Sequence, residues 1–226
     1  DLAVQRAAGR AKRLLLADMD STMIAQECID ELAAEAGVGA QVAAITARAM
    51  NGEIAFEGAL RARVALLRGL PETVFEQVFA NRITMTSGAP TLVATMKAQG
   101  ARTALVSGGF TAFTARVAAA LGFDEHHANT LLAANGILTG EVGEPILGRD
   151  AKVAALDEIA ARHGLGASDV LAVGDGANDL GMLHRAGMGV ALHAKPRVAA
   201  ECDLRVNHGD LTALLYLQGY RADEFA

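Results

Sequence analysis

Tryptophan is absent from this 226-residue chain, tyrosine occurs twice, and aromatic residues make up only 4% of it. So few flat rings leave little material for a base-stacking platform. Cysteine is as scarce: Cys28 and Cys202 stand far apart, which excludes a disulfide-based framework and points to a reducing, cytoplasmic setting. No apolar run approaches the roughly 18 residues of a membrane span. Positive charge is in deficit, with 20 Lys and Arg against 26 Asp and Glu and a net charge of −6. That balance argues against a nucleic-acid or membrane-surface partner. The six histidines (His126, His127, His163, His184, His193 and His208) show no metal-site spacing, so surface or packing roles are expected. There is no internal repeat and no low-complexity tract.

Apolar residues, by contrast, supply 52% of the chain, ample for a core and incompatible with disorder. The length suits one large domain or a domain carrying a smaller insertion. The chain opens on Asp1 and not on methionine, as expected of a trimmed or processed chain, and an upstream domain in a longer protein is compatible with it. The basic, small-residue-rich stretch Gln5–Arg13 is expected to be a solvated linker ahead of the first strand.

Short apolar runs end in polar or glycine-rich turns at Leu14–Ala17, Thr103–Val106, Val170–Val173 and Gly189–Leu192, with a weaker run at Leu204–Val206. Helical patterns separate them over Pro90–Gln99, Thr111–Leu121, Ala151–His163, Asp179–Arg185 and Pro196–Ala200. This alternation predicts an α/β fold with a parallel sheet covered on both faces, joined by right-handed connections. Ligands in such sheets bind beyond the carboxyl ends of the strands. Two stretches break the pattern. Residues 23–86 lack a strand signal and read as a helical insertion after the first strand, packed as its own small domain, with 1–22 and 87–226 forming the core. Asn135-Gly136 between apolar runs predicts a tight hairpin over 131–139.

The chemistry gathers at the strand ends. Asp18 and Asp20 follow the first strand two residues apart, so both carboxylates project to one side, about 6–7 Å apart along the backbone. Phosphoryl transfer needs a nucleophile, a proton donor, a cation and donors for the phosphate oxygens. Asp18 suits the nucleophile, through an aspartyl-phosphate, and Asp20 suits the acid that becomes the base. A turn cap or a plain metal site would also accommodate such a pair. Ser107-Gly108-Gly109 offers a hydroxyl and unencumbered N–H groups ahead of a helix, a phosphate cradle or a simple strand-to-helix turn. Lys152 is placed to balance the negative charge, unless it is a solvated surface lysine. In Gly174-Asp175-Gly176-Ala177-Asn178-Asp179, Asp175 is placed to ligate Mg²⁺ and Asp179 to hold a metal-bound water or position Lys152. A turn with a helix cap competes with that reading.

Four such clusters, in this order, resemble the haloacid dehalogenase superfamily of aspartate-nucleophile phosphatases. The second aspartate, Asp20, marks the phosphatases among its members, because halide displacement leaves no oxygen to protonate. Ile24–Glu31, Met50-Asn51-Gly52, Phe56 with Leu60–Val64, Val106–Phe110 and Gly174–Leu180 are similar to the branch that acts on phosphoserine. The resemblance covers about Leu14 to Leu215. It implies a core of Rossmann-like topology, a helical cap inserted after the first core strand, and one Mg²⁺. It also implies a small-molecule substrate, O-phospho-L-serine, hydrolysed to L-serine and phosphate in the last step of serine biosynthesis. Longer relatives carry an N-terminal small-molecule-binding domain that this sequence does not include.

Carried over by residue, the resemblance makes Asp18 the nucleophile and Asp20 the acid/base. Mg²⁺ would be held by the Asp18 carboxylate, the Asp20 carbonyl and Asp175, with Asp179 behind them. Ser107, Gly108, Lys152 and Asn178 would bind phosphate or the reacting centre. In the cap, Glu27 would meet the substrate ammonium and Arg63 its carboxylate, with Met50 and Phe56 walling the pocket. Met50 and Phe56 also suit a cap core. An arginine fork does grip a carboxylate bidentately, but Arg48, Arg61 and Arg68 lie close by in sequence. The alternatives are a phosphatase or phosphotransferase for another small molecule, such as homoserine or a phosphosugar, and, from another class, a phospho-acceptor switch or an inactive partner-binding module. The residues are compatible with a monomer or a homodimer.

Overall fold

The computed structural model describes residues 1–51 and 53–226; Gly52, one of the residues that carry the resemblance, lies outside them. Its centre is the strand β1 (Leu14–Ala17), buried throughout. Five further strands run parallel to it: β2 (Arg102–Phe110), β3 (Glu125–Asn129), β6 (Val170–Gly174), β7 (Met188–Leu192) and β8 (Leu204–Val206), in the order β3-β2-β1-β6-β7-β8. The chain builds outward from β1 to one side, then returns to build outward on the other. The crevice where the order reverses, beside the end of β1, is the usual ligand position in such sheets.

Side chains alternate across the sheet as the two-residue period requires. Leu15 and Ala17 belong to one apolar cluster, together with α5 (Ala89–Ala98), α6 (Thr111–Leu121) and α10 (Ala213–Gln218). Leu14 and Leu16 belong to the opposite cluster, against α7 (Arg149–Arg162), α8 (Leu180–Arg185) and α9 (Pro196–Glu201). Burial on both faces is why β1 and β6 read as unbroken apolar runs. The strand β3 escaped the sequence pattern. Its Glu-His-His-Ala-Asn sequence forms a half-exposed sheet edge whose polar side chains find partners locally, as His126 does with Thr114 (3.0 Å). β2 runs on through Ser107-Gly108-Gly109, but its register with β3 shifts between Val106 and Phe110.

Between β1 and α5 lie four helices: α1 (Cys28–Glu35), α2 (Gly39–Met50), α3 (Phe56–Ala65) and α4 (Val74–Arg82). The two arms that lead in and out pair antiparallel at Ile24 and Met85, with Ala25 N–H donating to the Thr84 carbonyl at 2.9 Å and Thr86 N–H to that of Met23 at 3.0 Å. The apolar residues of these helices run continuously into the cluster beneath them; Phe75 of α4 meets Phe113 of α6 edge-on, with centroids 5.8 Å apart.

The predicted hairpin forms from β4 (Leu131–Ala134) and β5 (Ile137–Val142). Both turn residues have positive φ, 52° at Asn135 and 76° at Gly136, as the tight primed turn demands. β5 then pairs with the segment between α3 and α4, through Leu138 N–H to the Leu70 carbonyl (2.8 Å) and Gly69 N–H to that of Leu138 (3.0 Å).

Candidate active site

The Asp18 N–H continues the ladder to Val173 (3.0 Å), and the chain then tightens into a turn over Met19–Met23. Ser21 sits in the left-handed region at φ 55°, uncommon for a residue with a side chain. Asp18 Oδ1 accepts from the Met19 N–H at 2.8 Å, and Asp20 Oδ1 accepts from the Cys28 N–H at the start of α1 at 3.1 Å.

Lys152, in the first turn of α7, is fully buried. Its Nζ lies 2.7 Å from Asp18 Oδ1 and 2.6 Å from Asp179 Oδ1. The solvated-surface reading of this lysine is therefore excluded. Asp179 is equally committed, since its Oδ2 accepts from the N–H groups of Asp175 (3.2 Å) and Gly176 (2.9 Å). Its contacts are those of a residue that positions Lys152.

Asp18, Asp20 and Asp175 gather around this pair of charges, and their proton affinities respond. Burial, then the charge of Asp179, raises the Asp18 pKa well above the ordinary carboxylate range, against the pull of Lys152. Burial and the charge of Glu27 push Asp20 up to about 7, and burial and Asp179 push Asp175 up to about 6. Burial alone would lower Lys152; the charges of Asp179 and Asp18 override it and hold its pKa above the usual value.

A raised carboxyl pKa means that the folded state binds protons more tightly than the unfolded chain. Between the ordinary value of 3.8 and about 7, the folded state therefore holds more protons at Asp20, and stability from this group falls as pH rises. In chelator-treated protein, urea midpoints measured from pH 5 to pH 8 are expected to fall. The fall should be smaller in Asp20→Asn. A variant with an unchanged slope would contradict the assignment.

One oxygen from each of Asp18, Asp175 and Asp179 lies within 4.8 Å of the others. An all-oxygen donor set carrying more negative charge than Lys152 balances fits a hard divalent cation. Beside it, Ser107 is buried and its Oγ accepts from the Gly109 N–H at 2.9 Å. A Cβ at Gly109 would stand 2.6 Å from Asp20 Oδ2, so only glycine lets this strand end approach the acid. The Gly108 carbonyl accepts from Asn129 Nδ2 at 2.8 Å, and Asn129 also bonds the backbone of Leu147, tying the cradle to the loop before α7. Nothing in the local sequence marks Asn129; its role arises only when β3 pairs with β2. Asn178, half-buried, precedes Asp179 and packs its Oδ1 against Gly176.

The inserted helices bring the remaining candidates. Glu27 precedes α1, and its Oε1 accepts from Ser21 Oγ at 2.8 Å. Arg63 is half-buried on α3, where burial lowers its pKa against the charges of Asp30 and Glu27. Its neighbours differ: Arg48 pairs with Glu53 (3.3 Å), Arg61 pairs with Glu144, and Arg68 is exposed. Phe56 is 39% exposed, its ring beside Gly108 and Gly148, and Met50, at the end of α2, is 69% exposed. Neither is buried in a core of the inserted helices.

Paired aspartates after the first strand, a buried lysine and a third aspartate after β6, all at the carboxyl edge of a parallel sheet, fit a phosphotransfer hydrolase of the carboxylate-nucleophile class. The chain belongs to the haloacid dehalogenase-like hydrolase family, whose profile matches residues 15–184. It is 46% identical over 205 residues to the phosphoserine phosphatase of Archaeoglobus fulgidus, a match covering 91% of this chain and 59% of that protein. The phosphoserine phosphatase of Streptococcus thermophilus is 47% identical over 200 residues, covering 88% of this chain and 93% of that one. A solved structure described as a phospho-aspartyl intermediate analogue of phosphoserine phosphatase superposes with a TM-score of 0.84 at 41% identity, over 91% of this chain and 98% of its own. The chain thus spans well under two thirds of one curated relative and nearly the whole of another.

Proposed function

We propose that the protein hydrolyses O-phospho-L-serine to L-serine and phosphate, the closing step of serine biosynthesis, with Mg²⁺ as cofactor. In this reading residues 1–22 and 87–226 form the catalytic core and 23–86 a substrate-selecting cap. The observation that carries the substrate assignment is a half-buried arginine, Arg63, without an ion-pair partner among the described residues, on the same insertion as Glu27. A phosphosugar needs no such pair of opposite charges, whereas an amino-acid phosphate presents a carboxylate to one and an ammonium to the other.

Lys152 and the Met19 N–H fix the plane of the Asp18 carboxylate. An Asp18 oxygen attacks phosphorus, the bond from phosphorus to the seryl oxygen breaks, and Asp20 delivers its proton to that oxygen. A pKa of about 7 suits this donor at neutral pH. Water then attacks the aspartyl-phosphate while Asp20 takes back a proton, and phosphate leaves with Asp18 restored. Ser107, the Gly108 backbone, Lys152 and Asn178 supply donors to the phosphoryl oxygens. Asp18, the Asp20 carbonyl and Asp175 would hold the cation, with Asp179 anchoring Lys152 behind them. When bound, the cation neutralises charge on the carboxylates and the phosphoryl group. Phe56 and Met50 wall the substrate side, and closure of the insertion over them excludes bulk water. Two free, buried cysteines accord with a reducing cytosol. No described helix is long and apolar enough to cross a membrane.

Arg63→Ala tests the assignment. Losing a hydrogen-bonded charge contact costs about 1.5–3 kcal/mol, so KM for phosphoserine should rise roughly 10- to 100-fold. An aryl phosphate, which lacks the carboxylate, should suffer far less. Equal losses on both substrates would make Arg63 a structural residue and remove the basis for the assignment.

A further inference from the structure

Arg63 is held from two sides. Its Nε–H donates to the Ala59 carbonyl, one turn back on the same helix, at 3.3 Å, and its Nη1 donates to Thr46 Oγ1 on α2 at 3.4 Å. The Ala59 contact is local to α3 and fixes only the near end of the guanidinium. The Thr46 contact crosses to a different helix and fixes the rotation of the far end. Of the five N–H donors of an arginine, two are used in this way. Among the described residues, both Nη2 hydrogens and one on Nη1 remain without a partner, the set required to grip a carboxylate end-on.

The chemistry of the two acceptors is equally telling. Both are neutral oxygens, so they orient the guanidinium without cancelling its charge. Arg48 and Arg61 on the same insertion are instead matched to glutamates. The carboxylates of Asp30 and Glu27 act on Arg63 through space and partly offset the lowering of its pKa by burial; the guanidinium stays charged.

We propose that Thr46 is a positioning residue for substrate selection: its hydroxyl, reaching from α2, sets the guanidinium plane of Arg63 so that its free end meets the carboxylate of the amino-acid phosphate. This deepens the phosphoserine reading and rests on it. Thr46 touches neither the phosphoryl group nor the reacting carboxylates, so its loss acts on carboxylate recognition and leaves the chemical step alone.

The test compares O-phospho-L-serine with O-phosphoethanolamine, which keeps the ammonium and lacks the carboxylate. Thr46→Val preserves shape and removes the acceptor. It should raise KM for phosphoserine about fivefold, the worth of one hydrogen bond of about 1 kcal/mol, with kcat nearly unchanged. Kinetics on phosphoethanolamine should change less than about twofold on the same scale, and Thr46→Ser should restore the wild-type KM. In an Arg63→Ala background, Thr46→Val should add nothing, because the two act as one unit. Equal losses on both substrates, no change on either, or full additivity with Arg63→Ala would overturn the role of Thr46. If Arg63→Ala itself leaves discrimination between the two substrates intact, the carboxylate clamp fails and Thr46 fails with it. If Arg63→Ala abolishes discrimination and Thr46→Val does not touch it, only the positioning role falls.

Discussion

Asp18→Asn is expected to lose at least about 10⁴-fold in kcat on phosphoserine while keeping its fold, since removing a nucleophile from a site that works as a unit leaves only binding and electrostatic assistance. The fold should survive because asparagine matches aspartate in shape and can still accept from the Met19 N–H. Lys152 also keeps its second partner, Asp179, at 2.6 Å. Removing one negative charge from a buried, crowded group relieves part of the repulsion that raises the Asp18 pKa. The check is kcat beside circular dichroism and a thermal midpoint. An unfolded variant would be uninformative about chemistry, so the midpoint must stay within a few degrees. A folded Asp18→Asn protein with substantial turnover would disprove the covalent route.

Lys152→Met should have the largest effect on stability. The lysine is the cation shared by Asp18 and Asp179, and methionine leaves two buried carboxylates facing each other. Removing one partner of a buried ion pair costs about 3–5 kcal/mol because the remaining charge stays uncompensated. For a chain of this size that corresponds to a midpoint lower by roughly 10 °C in metal-free protein. Part of the loss should return when a divalent cation is added, since the same carboxylates then gain a counter-charge. A midpoint within about 2 °C of wild type would show that Lys152 is not the cation that holds the cluster together.

The sheet was legible where its strands are buried on both faces. Leu14–Ala17 and Leu204–Val206 have the boundaries read from hydrophobicity, and Val170–Gly174 and Met188–Leu192 differ from them by one residue. β3 was not legible, because an edge strand carries Glu125 and His127 as surface partners, paired at 2.9 Å, and shows no apolar run. The same distinction holds at the site. Asp18, Lys152 and Asp175 sit at strand ends or helix starts, and Ser107 where β2 leaves its register with β3; there residue type and position together suggest chemistry. Ser21, Cys28, Thr46 and Asn129 support Glu27, Asp20, Arg63 and Gly108 from elsewhere in the chain. No spacing rule joins Thr46 to Arg63 or Asn129 to Gly108; only packing of helix on helix and strand on strand brings them together. Residue type and spacing alone did not separate Arg63 from Arg48 and Arg61; the family resemblance did, and the ion pairs that occupy those two agree with it.

The most direct measurement is Mg²⁺-dependent phosphate release from O-phospho-L-serine, O-phospho-L-threonine and a sugar phosphate, compared as kcat/KM. The phosphoserine value should exceed the sugar phosphate by about 100-fold, the worth of a charge-assisted carboxylate contact of about 3 kcal/mol, and should vanish with chelator. Phosphothreonine, with one added methyl, should fall between them. Equal rates on all three would leave a phosphatase whose inserted helices select nothing, and would contradict the reading of Glu27 and Arg63 as a clamp for an amino acid.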